Sequence, residues 1–163
     1  MILRAYTIIH TLISLIGILT GLIVLVGLLA GKRLDGWTKW FLITTVLTSV
    51  TGFFFPFHGF TPAIALGIMS LIVLAVAIFA RYPRQLAGHW RWIYVVTAVI
   101  ALYFNVFVLV VQTFEKIPGL HAMAPTQTEP PFKLTQLVIL AIFVLLGIIA
   151  AIRFRPMPAG VPH

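Results

Sequence analysis

The chain of 163 residues contains no cysteine and very few charged residues. The absence of Cys excludes disulfide frameworks, thiolate metal sites, CxxCH haem attachment and cysteine nucleophiles. Charged residues make up 9% of the chain, against about 25% in an ordinary soluble domain, and 61% of the residues are hydrophobic. This composition excludes a soluble globular domain, a disordered chain and a nucleic-acid-binding module.

Acidic residues number three, against eleven Lys and Arg, and none of these charges falls in the central part of a long apolar run. Proton relays and ion-coupled transporters normally place such residues within the membrane. Di-metal carboxylate bundles need several inward-facing Glu, and Ser–His–Asp hydrolases need a buried acid. The HExxH, P-loop and GxGxxG motifs are also missing. We therefore expect binding rather than enzymatic activity, and we assign no catalytic residue.

What the chain has instead is five long apolar segments. They are about 20 residues each, the length that crosses a bilayer core of about 30 Å, and they lie at about 5–30, 38–57, 62–80, 92–112 and 133–152. Runs of this length are helices rather than barrel strands of about 10 residues. The sequence predicts an all-α, five-span transmembrane helical bundle that forms one integral membrane domain over residues 1–163. Thr61 before Pro62 is typical of a helix start, and Asp35 is expected to cap the second helix.

The connections between these segments carry a strong charge asymmetry. Alternating them between two sides of a membrane puts eight bases and Asp35 on one side, and three bases and two acids on the other. The eight bases are Lys32, Arg33, Lys39, Arg81, Arg84, Arg91, Arg153 and Arg155. The net charges are therefore +7 and +1, and the positive-inside rule assigns the first side to the cytoplasm. We predict the N-terminus outside, the C-terminus inside, and all four Trp in an aromatic belt at the cytoplasmic ends.

The last connection, the outer loop at 113–131, is longer than the usual connection in a helical bundle. It contains four prolines: Pro118, Pro125, Pro130 and Pro131. Because each Pro restricts the backbone, we expect a shaped cover over one end of the bundle rather than a floppy tether.

Polar and small side chains recur on single helix faces within the apolar segments. In the first segment the helical spacing i, i+4, i+7, i+11 connects His10, Ser14, Gly17 and Gly21. In the second segment a hydroxyl stripe comprises Thr44, Thr48 and Thr51. Two GxxxG pairs, which permit close helix approach, are Gly17–Gly21 and Gly27–Gly31. In the fourth segment Asn105 shares a face with Gln112.

Depth in the membrane decides which of these side chains can meet. Four residues fall near the outer interface: His10, His58, Gln112 and His121. Asn105 lies about two turns deeper. We predict an outward-facing polar pocket under the outer loop that binds a small ligand, a divalent metal or haem b. His10 and His58 are the candidate metal ligands, because imidazole suits haem iron, copper and zinc.

The same residues leave other interpretations open. Interfacial His, Thr stripes and GxxxG pairs more often serve helix packing than binding, and Asn105 fits either role. The alternative functions are an accessory or structural subunit of a larger membrane complex, and a small uncoupled transporter, channel or lipid-handling protein. The nearly apolar inner halves of the spans argue against a pore through one protomer. The expected partners are the lipid bilayer and either a second copy or a larger membrane complex; nucleic acid is not expected.

Two segments, PFHGFTPA at 56–63 and APTQTEPPF at 124–132, resemble segments of small uncharacterised bacterial inner-membrane proteins. The resemblance touches the second to fifth spans. It implies a bacterial inner-membrane setting and no particular activity.

Overall fold

The computed structural model describes residues 1–56 and 59–156, and within these ranges all regular structure is helical. The helices are α1 Ile2–Leu29, α2 Asp35–Gly52, α3 Pro62–Arg81, α4 Trp90–Lys116, α5 Pro118–Met123 and α6 Pro130–Arg153. Four of them, α1, α3, α4 and α6, are long and apolar enough to cross a membrane. The all-α prediction is therefore confirmed, and the chain has the helices of an integral membrane protein.

The second helix, α2, is more polar than these four. It begins with Asp35, carries Lys39 one turn later, and contains six Thr and Ser residues. Four of the hydroxyls donate to the carbonyl four residues earlier: Thr44 to Trp40 at 2.7 Å, Thr48 to Thr44 at 2.8 Å, Ser49 to Thr45 at 3.1 Å, and Thr51 to Leu47 at 2.6 Å. These bonds satisfy the hydroxyl groups within the helix itself, which lets a Thr-rich helix pack in an apolar bundle.

The fourth helix, α4, lies at the centre and contacts each of the other five helices. The core around it includes Phe41, Leu74, Tyr94 and Leu102. A Cβ atom added to Gly21 of α1 would lie 2.5 Å from Leu102 Cδ1 and 2.9 Å from the Phe41 ring. The first GxxxG pair therefore lets α1 approach α2 and α4 closely. By contrast, only 6% of the most apolar stretch of α6 is buried.

Arginine contacts join the helix ends at one end of the bundle, which we call the basic end (Arg33, Asp35, Arg81, Arg91 and Arg153). The Arg81 guanidinium donates to the Asp35 carboxylate, joining the end of α3 to the start of α2. Arg91 Nη1 donates to the carbonyls of Ala151 and Phe154, at 2.7 and 2.6 Å. Because the last carbonyls of a helix lack partners within it, Arg91 closes the end of α6.

At the opposite end, which we call the far end, the predicted outer loop contains more helix than expected. The central helix α4 continues to Lys116, and α5 forms a short helix from Pro118 to Met123. The Glu129 carboxylate then accepts hydrogen bonds from the Thr126 hydroxyl at 2.7 Å and the Thr128 amide at 3.0 Å. Gln127 Nε2 donates to the Val111 carbonyl at 2.9 Å, which attaches this turn to α4.

Of the predictions about helix ends, the one for α3 is confirmed and the one for α2 is not. Thr61 is the N-cap of α3 and accepts a hydrogen bond from the Ile64 amide at 3.3 Å, with Pro62 following, as predicted. The prediction that Asp35 caps α2 is wrong, because Leu34 is the N-cap and Asp35 is the first helical residue. The Asp35 side chain pairs with arginines instead. Gly31 lies beyond the end of α1 with φ of +74°, so Gly27–Gly31 is not a pair on one helix face.

Candidate functional site

His10, a predicted ligand, lies half-buried on α1 at the far end. Its Nδ1 atom is 2.7 Å from the Thr51 hydroxyl of α2, and its ring packs edge-on against Phe55 with the centroids 5.0 Å apart. The Tyr6 hydroxyl donates to the Thr51 carbonyl at 2.5 Å, and the Tyr6 ring packs against the Phe55 ring. These contacts close the end of α2 onto the start of α1.

The hydrogen bonds of Thr51 define the state of the His10 ring. The Thr51 hydroxyl donates to the Leu47 carbonyl at 2.6 Å, so its proton is already used. The hydroxyl oxygen therefore accepts from His10, which places the imidazole proton on Nδ1. In this tautomer Nε2 carries a free lone pair, which is the arrangement found in metal-binding histidines whose other nitrogen is held by a hydrogen bond.

Asn105, the deepest predicted pocket residue, contacts a different level of α2. It is buried on α4, and its Nδ2 atom donates to the Thr45 hydroxyl at 3.3 Å. The same amide lies 3.7 Å from the position of a Cβ built on Gly17 of α1. Because Thr45 and Thr51 are six residues apart, Asn105 and His10 meet α2 about 9 Å apart along its axis. Asn105 thus lies at the contact of α1, α2 and α4.

Gln112 and His121, two other predicted pocket residues, take no part in these contacts. Gln112 is half-buried near the end of α4, and His121 is exposed on α5. His58 lies outside the described residues. Within residues 1–56 and 59–156, no group of three or more His, Cys, Asp or Glu is placed to hold a metal ion. The five-residue pocket therefore stays a prediction.

A groove with a volume of about 290 Å³ runs between α2 and α3 on the surface of the bundle. Its α2 wall has the spacing i, i+3, i+4, i+7, i+8 of a single helix face and consists of Lys39, Leu42, Ile43, Val46 and Leu47. Its α3 wall consists of Ile78 and Tyr82, one turn apart. Only Lys39 and Tyr82 are polar, and both lie at the basic end. The groove is therefore an apolar slot with a cationic and phenolic mouth.

Polar contacts between α2 and α3 hold the groove at both of its ends. Near the far end the hydroxyl oxygens of Ser49 and Ser70 are 3.0 Å apart. At the basic end Arg81 binds Asp35, which precedes Lys39 by one helical turn. Six of the seven lining residues lie between these two contacts along the helices, and Tyr82 follows Arg81 directly at the end of α3. The two contacts therefore join α2 to α3 on either side of the apolar interval.

Arg81, beneath the mouth of the groove, is itself almost completely buried, with 2% of its surface exposed. Its Nη2 atom donates to Asp35 and to the Arg33 carbonyl, and its Cζ atom lies 5.1 Å from the centre of the Tyr94 ring. Among the described residues, Arg81 Nη1 and the Tyr94 hydroxyl are buried without a hydrogen-bond partner. This cluster joins α2, α3 and α4.

Reasoning from the sequence missed both the groove and the burial of Arg81. It counted Arg81 only among the bases of the cytoplasmic side, although the spacing Leu74, Ala77, Arg81 puts the arginine on the buried face of α3. The groove had a weaker signal, the apolar face of α2 at Leu42, Ile43, Val46 and Leu47. That face alone does not tell how far α3 stands from it.

Comparisons of the chain with protein-family models, with curated proteins and with solved structures found no match.

Proposed function

We propose that the chain is a five-span protein of the bacterial inner membrane that binds one membrane lipid in the α2–α3 groove. The observation that carries the binding role is an apolar slot with Lys39 and Tyr82 at one end. The five-span arrangement and the orientation supply the membrane context.

Support for α2 as the fifth span comes from its packing against α1. Tyr6 and His10 of α1 contact Thr51 near the end of α2, and a Cβ on Gly27 would meet Leu34 at its start. The two helices therefore run antiparallel along the same length. The 18 residues of α2 cover about 27 Å, close to the hydrocarbon core of about 30 Å. If α1 crosses the membrane, α2 crosses it as well.

The orientation follows from the basic end. The five helix ends that carry most of the arginines gather at one end of the bundle, and the positive-inside rule puts that end in the cytoplasm. The N-terminus and the α4–α6 connection then face outwards. The lipid in the groove comes from the cytoplasmic leaflet, because Lys39 and Tyr82 lie at the basic end.

Single cysteines test this orientation directly, because the chain has none of its own. Ala122 on α5 and Ala87 in the α3–α4 connection are both exposed. A membrane-impermeant maleimide should label Ala122→Cys in intact spheroplasts, and Ala87→Cys only after permeabilisation. The reverse labelling pattern would overturn the orientation.

The binding role follows from what can fill an apolar slot in a membrane. Water gains few hydrogen bonds there, whereas an acyl chain supplies the dispersion contacts that an empty slot lacks. The distance from Lys39 to Leu47 is about 12 Å along α2, close to the half-thickness of the hydrocarbon core. A lipid chain lying along this wall keeps its head group at the level of Lys39 and Tyr82.

Filling the groove with a side chain tests the role. Leu47 lines the groove and is 43% exposed, whereas Leu140 on α6 is 40% exposed outside it. Native mass spectrometry of the protein released from mild detergent should show one bound phospholipid in the wild type and in Leu140→Trp. Leu47→Trp should lose it. Equal lipid retention in Leu47→Trp and Leu140→Trp would exclude the groove as the binding site.

A second candidate function is the binding of a metal or haem at the far end. His10 supports it, because no residue in the described part of the chain forms a hydrogen bond with its Nε2 atom. An optical spectrum of the purified protein, oxidised and then reduced, with elemental analysis of the same sample, tests this function. A haem band or one metal per chain that disappears in His10→Ala would establish the site. A colourless, metal-free protein would leave His10 as a helix-packing residue.

A further inference from the structure

The mouth of the groove has a charge pattern that distinguishes one class of lipid head group. We propose that the ligand is an anionic phospholipid of the cytoplasmic leaflet, with its phosphate at the Lys39 ammonium and one acyl chain along the α2–α3 groove. This inference rests on the proposed function and adds the head group that the groove selects.

Asp35, the acid nearest to Lys39 in the chain, is already paired with two arginines. Lys39 is therefore available to an external anion. Asp35 lies one turn before Lys39, but its Oδ1 accepts from Arg33 Nε at 3.2 Å and from Arg81. Both ion pairs in the described part of the chain belong to this carboxylate. The two other acids, Glu115 and Glu129, are at the far end. Within residues 1–56 and 59–156, the ammonium of Lys39 therefore forms no ion pair.

The charges around the mouth add to a positive field. Arg33, Lys39 and Arg81 contribute three positive charges, and Asp35 contributes one negative charge. The net charge of +2 faces the side of the membrane that the positive-inside rule assigns to the cytoplasm, where anionic lipids concentrate. A phosphate with a neutral alcohol head group complements this field, whereas a choline head group adds a positive charge beside Lys39.

Tyr82 provides the second polar group at the mouth. Tyr82 is 48% exposed, and it lines the same groove as Lys39. The Tyr82 ring lies 5.9 Å from Arg81 Cζ, which holds it at the end of α3. A phenol in this position donates a hydrogen bond to a phosphate oxygen and places its ring at the membrane interface, where Tyr is favoured.

A lipid, and not free phosphate, fits the site as a whole. The polar part of the groove comprises two side chains, and the remaining five lining residues are aliphatic. Inorganic phosphate would use Lys39 and Tyr82 but would leave the apolar interval empty. Only a ligand with both parts fills the slot, so the acyl chain supplies contact area and the phosphate supplies selectivity.

Competition between two lipids with identical acyl chains tests the head-group preference. The full-length protein is equilibrated with equimolar dioleoyl phosphatidylglycerol and dioleoyl phosphatidylcholine, and bound lipid is counted by native mass spectrometry. We expect the wild type to favour phosphatidylglycerol about five-fold, the ratio that one interfacial cation provides. Lys39→Gln should lower the bound phosphatidylglycerol about five-fold relative to phosphatidylcholine, and so lose the preference. Lys39→Arg should keep the preference.

Lys133→Gln is the matched control, because it removes one exposed base at the far end. It should retain the wild-type preference. Equal binding of the two lipids by the wild type, or an unchanged preference in Lys39→Gln, would overturn the head-group inference while leaving lipid binding itself intact. Loss of all lipid from the wild type would instead overturn the proposed function. Displacement of bound phosphatidylglycerol by millimolar inorganic phosphate would also contradict the inference, because it would make the site a phosphate site.

Discussion

The guanidinium of Arg81, at the end of α3, donates a hydrogen bond to the carboxylate of Asp35, 46 residues earlier at the start of α2. The two partners differ sharply in their surroundings, since the Arg81 side chain is 1% exposed and the Asp35 side chain is 69% exposed. The buried cation therefore depends on this pair more than the exposed anion does. The pair also joins α2 to α3 at the basic end of the α2–α3 groove.

Replacing Asp35 by Asn should destabilise the bundle, because Arg81 stays buried without a countercharge. A hydrogen bond to a charged group contributes about 1.5–3 kcal/mol, and we expect a loss in the free energy of unfolding toward the lower end of this range, because Asp35 is exposed. Arg33→Gln, which removes only the exposed partner of the same carboxylate, should cost less than about 1 kcal/mol. Unfolding in mixed micelles measures both variants. An equal loss in the free energy of unfolding in Asp35→Asn and Arg33→Gln would contradict the special role of the Arg81–Asp35 pair.

Gly21 should not tolerate a methyl group. A Cβ at this position lies 2.5 Å from Leu102 Cδ1 and 2.9 Å from the Phe41 ring, so Gly21→Ala forces α1 away from α2 and α4. We expect a loss of about 1–3 kcal/mol in the free energy of unfolding, the usual cost of overpacking. In the matched control, Gly36→Ala, the added atom meets nothing within 4 Å, and it should be neutral or stabilising. A tolerated Gly21→Ala would contradict the close approach of the three helices.

The Asn105–Thr45 hydrogen bond should couple the two residues measurably. A double-mutant cycle of Asn105→Ala and Thr45→Val on the free energy of unfolding should give a coupling of about 0.6 kcal/mol, with about 1.7 kcal/mol as the upper limit. Thr97→Val is the control, because its hydroxyl bonds only to carbonyls of its own helix, at Ile93 and Tyr94. Its coupling with Asn105→Ala should be near zero. No coupling between Asn105 and Thr45 would mean that the amide serves another partner.

The turn before α6 should depend on pH through Glu129. Hydrogen bonds from the Thr126 hydroxyl, and from the Thr126 and Thr128 amides, hold the pKa of Glu129 below its ordinary value. The charged carboxylate therefore stabilises the turn at neutral pH, and this stabilisation is lost as the pH falls through the lowered pKa. Thr126→Val should raise the pKa of Glu129, measured by carboxyl NMR titration. Thr135→Val, whose hydroxyl bonds to the Pro131 carbonyl, should leave the pKa of Glu129 unchanged.

Arg91 should hold the end of α6 in place. Its guanidinium donates to the carbonyls of Ala151 and Phe154, so Arg91→Gln removes the partners of both. Amide hydrogen exchange at residues 150–154 should then become faster, with a loss of local protection of about 1.5–3 kcal/mol. Arg155→Gln removes only an exposed contact to the Ile152 carbonyl and should change exchange little. Unchanged exchange in Arg91→Gln would show that the cap contributes nothing to the end of α6.

Much of the fold could be predicted from local patterns in the chain. Apolar runs of about 20 residues identified the long helices, and the Thr61-Pro62 pair identified the start of α3. The spacing of Gly17 and Gly21 indicated a close-packing face on α1, and the contacts of Gly21 confirm it. Each of these features belongs to one continuous segment of the chain, so the sequence alone determines it.

The site depends instead on how separate helices are rotated and spaced. Nothing near Arg81 in the chain shows that Asp35 and Tyr94 surround it, and nothing near Asn105 shows that Thr45 is its partner. The α2–α3 groove lies along two helices that polar contacts 14 residues apart on α2 join. Composition and periodicity determined that this chain is helical and suited to lipid. Its tertiary structure decided which polar groups are paired and where a gap remains, because those outcomes depend on packing between segments distant in the chain.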